Sequence, residues 1–360
     1  MVRVNVISGR SRIPNFTTYP LRYNVDRLKN RGYNVSIFYS HRIPNLSCDI
    51  LCVSCKFLHK WWKRDKDRVF SFLAHAKKYT NKLIYLDDKD STSTTDFEVL
   101  PFVDLYLKKQ LLRDRQLYGK SFYGDRIFTD FYHKTFGITD ENERFSETID
   151  MEKQGKKIDL SWHIGLGNMI GDIMKFSRIM GPIKALLPPS YDVALHDPFQ
   201  DRNIDIMARG RRYYSRNTVR FHRERIGTLL DGMGNLRIAT NGHVSVRRYR
   251  KEMRQAKLVV SSFGWGEIGV RDFEAFIYGA ALVKPDMTHL ETWPNIFIPG
   301  VTYQPIKWDF ENLEDIIENL LSCPKGCLEL AAAGQETYKK SISARGMERF
   351  CDWFVQQITL

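Results

Sequence analysis

Asp87-Asp-Lys-Asp90 closes the apolar run Lys82–Asp87 and gathers three carboxylates in one short loop. Carboxylates so placed can supply a general base or hold a divalent cation. The plain alternative is a polar turn capped by Asp90 or Ser91. Asp88 and Asp90 are the candidates from this loop. His133, whose side chain titrates near neutral pH, is a third candidate base. Farther along, Arg209-Gly-Arg211-Arg leads into a stretch bearing Arg220, Arg223 and Arg225. Guanidinium forks suit phosphate groups because each can donate two parallel hydrogen bonds. Arg216 and Arg223 read as solvent-facing members of that stretch. A third group joins the two-glycine turn Phe263-Gly-Trp-Gly-Glu267 to Arg271 and Glu274. Glycines let a backbone approach a ligand closely, and N–H groups at a helix start face an anion.

These residues need elements to hold them. Leu258–Ser262 is β-branched and apolar and reads as a buried strand. Arg271–Tyr278 fits a helix, with Phe273, Phe276 and Ile277 on one face and Gly279 as its stop. A second strand, Ala280–Val283, ends before Pro285. Strand, turn, helix and strand make a βαβ unit, and ligands sit at the carboxyl ends of strands in such sheets. The first 110 residues alternate in the same way. Val2–Ser8, Tyr33–Tyr39, Asp49–Phe57 and Lys82–Asp87 read as strands, with helices at Pro20–Arg31 and Val69–Tyr79. The implied fold class is α/β, with parallel sheets covered on both faces. The loop Gly9–Pro14 then lies at a ligand edge, or is a solvated connection. Residues 138–157 read as an exposed polar loop. Gly165-Leu-Gly167 either approaches a ligand or turns the chain into a helix at Ile173–Met180. Gly181-Pro182 and Pro188-Pro189 mark the best linker. The expected domains are 1–185, 186–342 and a terminal helix, 343–360, with Met347, Phe350, Cys351, Phe354 and Ile358 at helical spacing.

The chain has 360 residues and a formal charge of +13. That length suits two domains, and the charge favours anionic partners. Without a recognised nucleic-acid module, nucleic acid is not an expected partner. Leu105–His133 mixes aromatics with charges, which suits a carbohydrate groove and equally single-stranded nucleic acid. The six cysteines read as reduced and structural, as in a cytoplasmic protein. The chain shows no apolar signal core and no run of some 20 apolar residues. A soluble or peripheral membrane protein is expected.

The segment from Leu258 onward resembles the nucleotide-sugar site of GT-B glycosyltransferases, in which a loop leads into a helix reading E-A-x-x-x-G. Glu274-Ala-Phe-Ile-Tyr-Gly279 matches that pattern. Glu267 stands seven residues before Glu274, where many retaining members carry a glutamate eight before. Arg271-Asp-Phe-Glu-Ala275 with the apolar strand after Gly279 is more similar to the exostosin-type branch, as is the strand, Arg-Gly-Arg and helix from Ile204 to Leu230. The resemblance implies two Rossmann-like domains across a cleft, with the terminal helix packing back on the first. It implies a glycosyltransferase that moves a sugar from a nucleotide-sugar donor to a glycan or other hydroxyl acceptor, without an essential metal. Glu274 would bind the donor ribose, and Arg209, Arg211 and Arg271 the diphosphate. Ser262, Phe263 and Gly264 would line the base or phosphate pocket, with Glu267 nearby. The first domain would hold the acceptor, with Asp88, Asp90 or His133 as base if the enzyme inverts, the outcome the exostosin-like pattern favours. A nucleic-acid-binding protein and a nucleotide-sugar epimerase on the same fold are the alternatives.

Overall fold

A computed structural model describes residues 1–167, 193–210, 213–240, 242 and 244–360. Two parallel sheets organise the chain. The first contains β1 (Val2–Ile7), β2 (Tyr33–Phe38), β3 (Cys48–Ser54), β4 (Thr80–Asp87), β5 (Leu105–Lys108) and β7 (Ile158–Leu160), in the order β2-β1-β3-β4-β5-β7. Between β5 and β7 lies β6 (Gln110–Leu112), which leaves this sheet. The second sheet takes β8 (Ile204–Met207), β9 (Ile238–Ala239), β10 (Ala256–Val260), β11 (Ala281–Pro285) and β13 (Gln304–Ile306), in the order β13-β11-β10-β8-β9. Every pairing within both sheets is parallel. Helices cover both faces, so central strands such as β10 and β11 are apolar almost throughout. These are two Rossmann-like α/β domains.

Each sheet has one place where the chain reverses its direction of travel across the strands. In the first it falls between β1 and β3, in the second between β8 and β10. Loops diverge there and leave a crevice at the carboxyl ends of the strands. The Asp87–Asp90 loop follows β4, and the Phe263–Glu267 turn follows β10, so both lie at the carboxyl edges of their sheets.

The sheets are joined at a third point. β12 (Leu290–Thr292), which follows the second domain's βαβ unit, pairs antiparallel with β6 from the first. The last helix, Ala344–Thr359, returns to the first domain as expected. Arg27 and Arg31 bond Glu348, Arg31 bonds Asp352, and Trp162 packs edge-on against Phe350 and Phe354. Among the described residues no helix is long and apolar enough to cross a membrane.

Two sequence readings need correction. The third strand ends at Ser54 rather than at Phe57. Ser54 accepts a bond from the Lys56 N–H, and a helix, Cys55–Arg64, starts where the apolar pattern suggested more strand. Pro20 lies inside a helix, Arg12–Tyr23, instead of opening one, so most of the loop after β1 is helical. The expected domain boundary and the helix at Ile173–Met180 lie outside the described residues.

Candidate functional site

At the reversal point of the second sheet, two glycines bring backbone against guanidinium groups. A Cβ on Gly210 would stand 2.9 Å from Arg271 Nη2 and 3.1 Å from Arg223 Nη1. A Cβ on Gly264 would stand 3.3 Å from Arg223 Nη2. The two arginines therefore converge over the ends of β8 and β10, in a small pocket that Ser262 and Thr240 also line. Arg223 is fixed by donating from Nε to the Phe263 carbonyl at 3.0 Å and by lying over the Tyr214 ring. Burial, with Arg271 close by, lowers its pKa to about 10. Arg271 Nε is buried and meets no acceptor among the described residues. Two cations held this close in a half-buried pocket favour an anion between them.

The helix Val270–Tyr278 is set by Asp272, which is fully buried. Its carboxylate accepts from Ser261 Oγ, from Lys284 Nζ and from the Gly269 N–H. Without that charge, buried Lys284 would be unpaired and the turn after β10 would lose its anchor. Glu274 sits on the same helix and accepts from the Tyr249 hydroxyl at 2.7 Å. Arg209 is buried and paired with Glu252, and also donates to the Thr240 carbonyl. It does not line the pocket that Arg223 and Arg271 line. The reading of Arg223 as solvent-facing was wrong, because its helix turns that face inward. Phe263 is wholly buried against Phe128 and offers the site only its carbonyl. Arg211 lies outside the described residues.

The loop after β4 is a network of buried charges. Asp87 accepts from Lys108 Nζ at 2.7 Å and from the Tyr106 hydroxyl at 2.5 Å. Burial works to raise its pKa, but Lys108 and Lys89 hold it down at about 2. Asp88 is buried beneath, where it accepts from the Cys55 thiol at 2.9 Å; burial raises its pKa. Asp90 alone of the three carboxylates lines the large cavity between the domains. Lys109 Nζ lies 3.2 Å from Asp90 Oδ1. Burial opposes ionisation, yet Lys109 and Lys56 keep the Asp90 carboxyl below its ordinary range. That cavity holds about 610 Å³. Its walls come from Lys56 and Trp62 on one helix, from Arg126, and from Arg216 and Trp265 of the second domain.

Glu267 is fully buried where the two loops meet. One oxygen accepts from Ser91 Oγ at 2.9 Å and Thr92 Oγ1 at 2.8 Å, the other from the Thr92 N–H at 3.1 Å and Gln110 Nε2 at 2.7 Å. A Cβ on Gly266 would stand 1.7 Å from the Asp90 carbonyl oxygen. Arg126 Nε donates to the Trp265 carbonyl at 2.7 Å. The turn after β10 is thus seated directly on the loop that carries Asp90.

Other candidates fall elsewhere. His133 stacks on Tyr123 at 3.8 Å, faces the Ile138 carbonyl through Nδ1, and does not line the cavity. Gly165 is a packing glycine, since a Cβ there would stand 2.0 Å from the Phe273 ring. Asp140 corrects the reading of 138–157 as exposed: it is buried and bonds Arg216 and Thr218. Arg216 is correspondingly an interdomain residue, not a solvated one. Lys56, Arg126, Trp265 and the inward role of Arg223 escaped sequence reasoning. The one available signal for Trp265 was a large aromatic between two glycines.

No protein-family model matches the chain, and no curated protein matches it in sequence. Solved structures with a similar course include Anabaena HepE in complex with UDP, 10% identical with a TM-score of 0.45, covering 99% of this chain and 100% of that one. A glycosyltransferase from Rickettsia africae is 11% identical with a TM-score of 0.47, covering 99% and 98%. An alpha-glucosyltransferase in complex with UDP and a 13-mer DNA is 8% identical with a TM-score of 0.45, covering 100% of both chains. The likeness is one of chain course. With two Rossmann-like domains, an interdomain cavity and a returning terminal helix, the fold is of the GT-B type.

Proposed function

We propose that this chain is a glycosyltransferase that takes a nucleotide-diphosphate sugar on its second domain and an acceptor hydroxyl, on a glycan, in the cavity beside Asp90. The observation that carries the reading is the convergence of Arg223 and Arg271 over Gly210 and Gly264. A diphosphate there would lie at the reversal point of the sheet and accept from both forks. Glu274, oriented by Tyr249, is assigned to the ribose, and Ser262 to the pocket wall.

In the reaction the acceptor oxygen bonds to the anomeric carbon, and the bond from that carbon to the diphosphate oxygen breaks. The electron pair leaves with the nucleoside diphosphate, and the paired arginines stabilise the charge that develops there. In an inverting reaction the hydroxyl proton goes to Asp90, which is ionised at neutral pH; in a retaining one it goes to the leaving phosphate. No metal is assigned a role.

The test is a thermal-shift series with UDP, GDP, CDP, ADP and TDP, with and without magnesium. A ligand that binds only the folded protein raises its melting temperature. A shift with one nucleotide, reduced in Arg223→Ala, supports the reading. No shift with any of the five removes it.

A further inference from the structure

The large cavity carries information about the acceptor. Its first wall is the helix Cys55–Arg64, which starts at the carboxyl end of β3, beside the reversal point of the first sheet. Lys56, His59 and Lys63 fall three and four residues apart and share the face that lines the cavity. Lys63, Lys56 and Lys89 lie close enough to His59 that they add to burial in lowering its pKa. The opposite wall is Trp265. The residue is 38% exposed, although Phe263, Gly266 and Glu267 around it are buried. The backbone beneath the ring is pinned by Arg126 Nε on the Trp265 carbonyl and by the Gly264 N–H on the Gly266 carbonyl. The Arg126 guanidinium lies over the ring, 5.3 Å from its centroid, and Tyr214 meets it edge-on at 5.4 Å. An indole so held, and still partly exposed on a cavity wall, is a stacking platform, one end apolar and the other wet.

The carboxylates in the cavity are mostly committed. Asp96 pairs with Lys89, Asp125 and Asp140 pair with Arg216, and Asp90 pairs with Lys109. Lys56 forms no ion pair within 4 Å among the described residues, although it acts on Asp90 from farther off and the cavity wall half buries it. Arg126 donates to the Trp265 and Gly124 carbonyls and stands 3.9 Å from Asp125. Arg216 Nη2 is buried and meets no acceptor among the described residues. Glu141 lines the cavity too; even with it counted, the lining carries six lysines and arginines against five carboxylates, and Lys109 pairs Asp90 from outside it, so donors and positive charge are left over.

We propose that the acceptor is an acidic sugar, whose ring stacks on Trp265 and whose carboxylate or other anionic substituent is met by Lys56. This rests on the placement of the acceptor in this cavity and adds its charge class. The donor diphosphate does not account for the surplus, because Arg223 and Arg271 lie on helices of the second domain and Lys56 on a helix of the first. A confined cavity suits a few sugar units, whereas a nucleic-acid strand needs a groove that tracks its backbone.

The test compares trigalacturonate with neutral trigalactose by titration calorimetry, on the full chain with whichever nucleoside diphosphate raises its melting temperature. The acidic trimer is expected to bind roughly tenfold more tightly, the size of one charge-assisted hydrogen bond. Lys56→Gln should abolish that preference, Lys56→Arg should keep it, and Trp265→Ala should weaken both trimers. Equal affinity for the two trimers, binding of neither, or an unchanged preference in Lys56→Gln overturns the proposal. So does tighter binding of an oligodeoxythymidylate than of the acidic trimer. If no nucleotide shifts the melting temperature, the donor reading fails instead, and the trimer comparison is then read on the protein alone.

Discussion

Glu267 of the second domain gives one carboxylate oxygen to the Thr92 hydroxyl and the other to the Thr92 N–H, across the domain boundary. The contact sets the spacing between the loop that carries Asp90 and the turn that carries Trp265. Glu267→Ala would take the acceptor from the Ser91 hydroxyl, from the Thr92 hydroxyl and N–H, and from one N–H of Gln110, whose Nε2 keeps the Asp90 carbonyl. We expect a loss of about 3 kcal/mol in urea unfolding, with Glu267→Gln losing less because its amide oxygen still accepts. Burial raises the Glu267 pKa, but His289 and Thr92 outweigh it and hold the carboxyl below its ordinary value. A depressed carboxyl contributes stability above its unfolded pKa and loses it as pH falls through the folded one. The acid limb of stability below about pH 4.3 should therefore be shallower in Glu267→Gln than in the parent chain.

Gly266→Ala tests the same junction from the backbone side. The added methyl would meet the Asp90 carbonyl oxygen at 1.7 Å and its carbon at 2.1 Å, and neither can step aside as a side chain could. The two loops must separate. We expect sugar transfer to fall at least about a hundredfold, since small misplacements at reacting groups cost that much. The melting shift with nucleotide should remain, because Arg223 and Arg271 are untouched. Loss of nucleotide binding together with transfer would contradict the division of labour drawn here.

Arg223→Ala and Glu274→Ala should each weaken nucleoside-diphosphate binding by about ten- to a hundredfold with the fold intact. Arg223→Lys should recover little, because one ammonium cannot reproduce a fork. Titration calorimetry measures both. Unchanged affinity in Glu274→Ala would remove the ribose assignment.

His222 supplies a pH signature. It is buried, its Nε2 lies 2.7 Å from the Phe263 carbonyl, and burial lowers its pKa to about 3. The folded chain keeps the ring neutral, whereas the unfolded chain protonates it near pH 6.5. Stability is full above about pH 6.5 and drains as pH falls toward the folded value, by roughly 1.4 kcal/mol per pH unit for this one group. Urea unfolding of His222→Phe between pH 6.5 and 4 should show a slope shallower by that amount. An identical slope would mean that the ring is not neutral in the folded chain.

The alternation of apolar runs made both sheets legible, because parallel strands buried on two faces cannot hide their composition. The place of the turn after β10, at the carboxyl edge of its sheet, was legible for the same reason. The helix at Cys55 was not: Cys55-Lys-Phe57 continues the look of a strand, and only the Ser54 cap reverses it. Arg209 and Arg223 exchanged expected places because a run of arginines does not reveal which one finds a carboxylate. Glu252, forty-three positions beyond Arg209, holds it, and no local pattern announces such a pair. Asp140 hid in a polar stretch whose partner, Arg216, belongs to the other domain. Long-range pairing of charges is written in the fold rather than in spacing.

The ribbon of β6 and β12 has a mechanical consequence. A strand from each domain is bonded to the other beside the Glu267 contact, so strain in one sheet reaches its neighbour through backbone rather than through a loose hinge. Amide protons of Gln110–Leu112, which do not line the pocket of Arg223 and Arg271, should exchange more slowly when a nucleotide occupies the second domain.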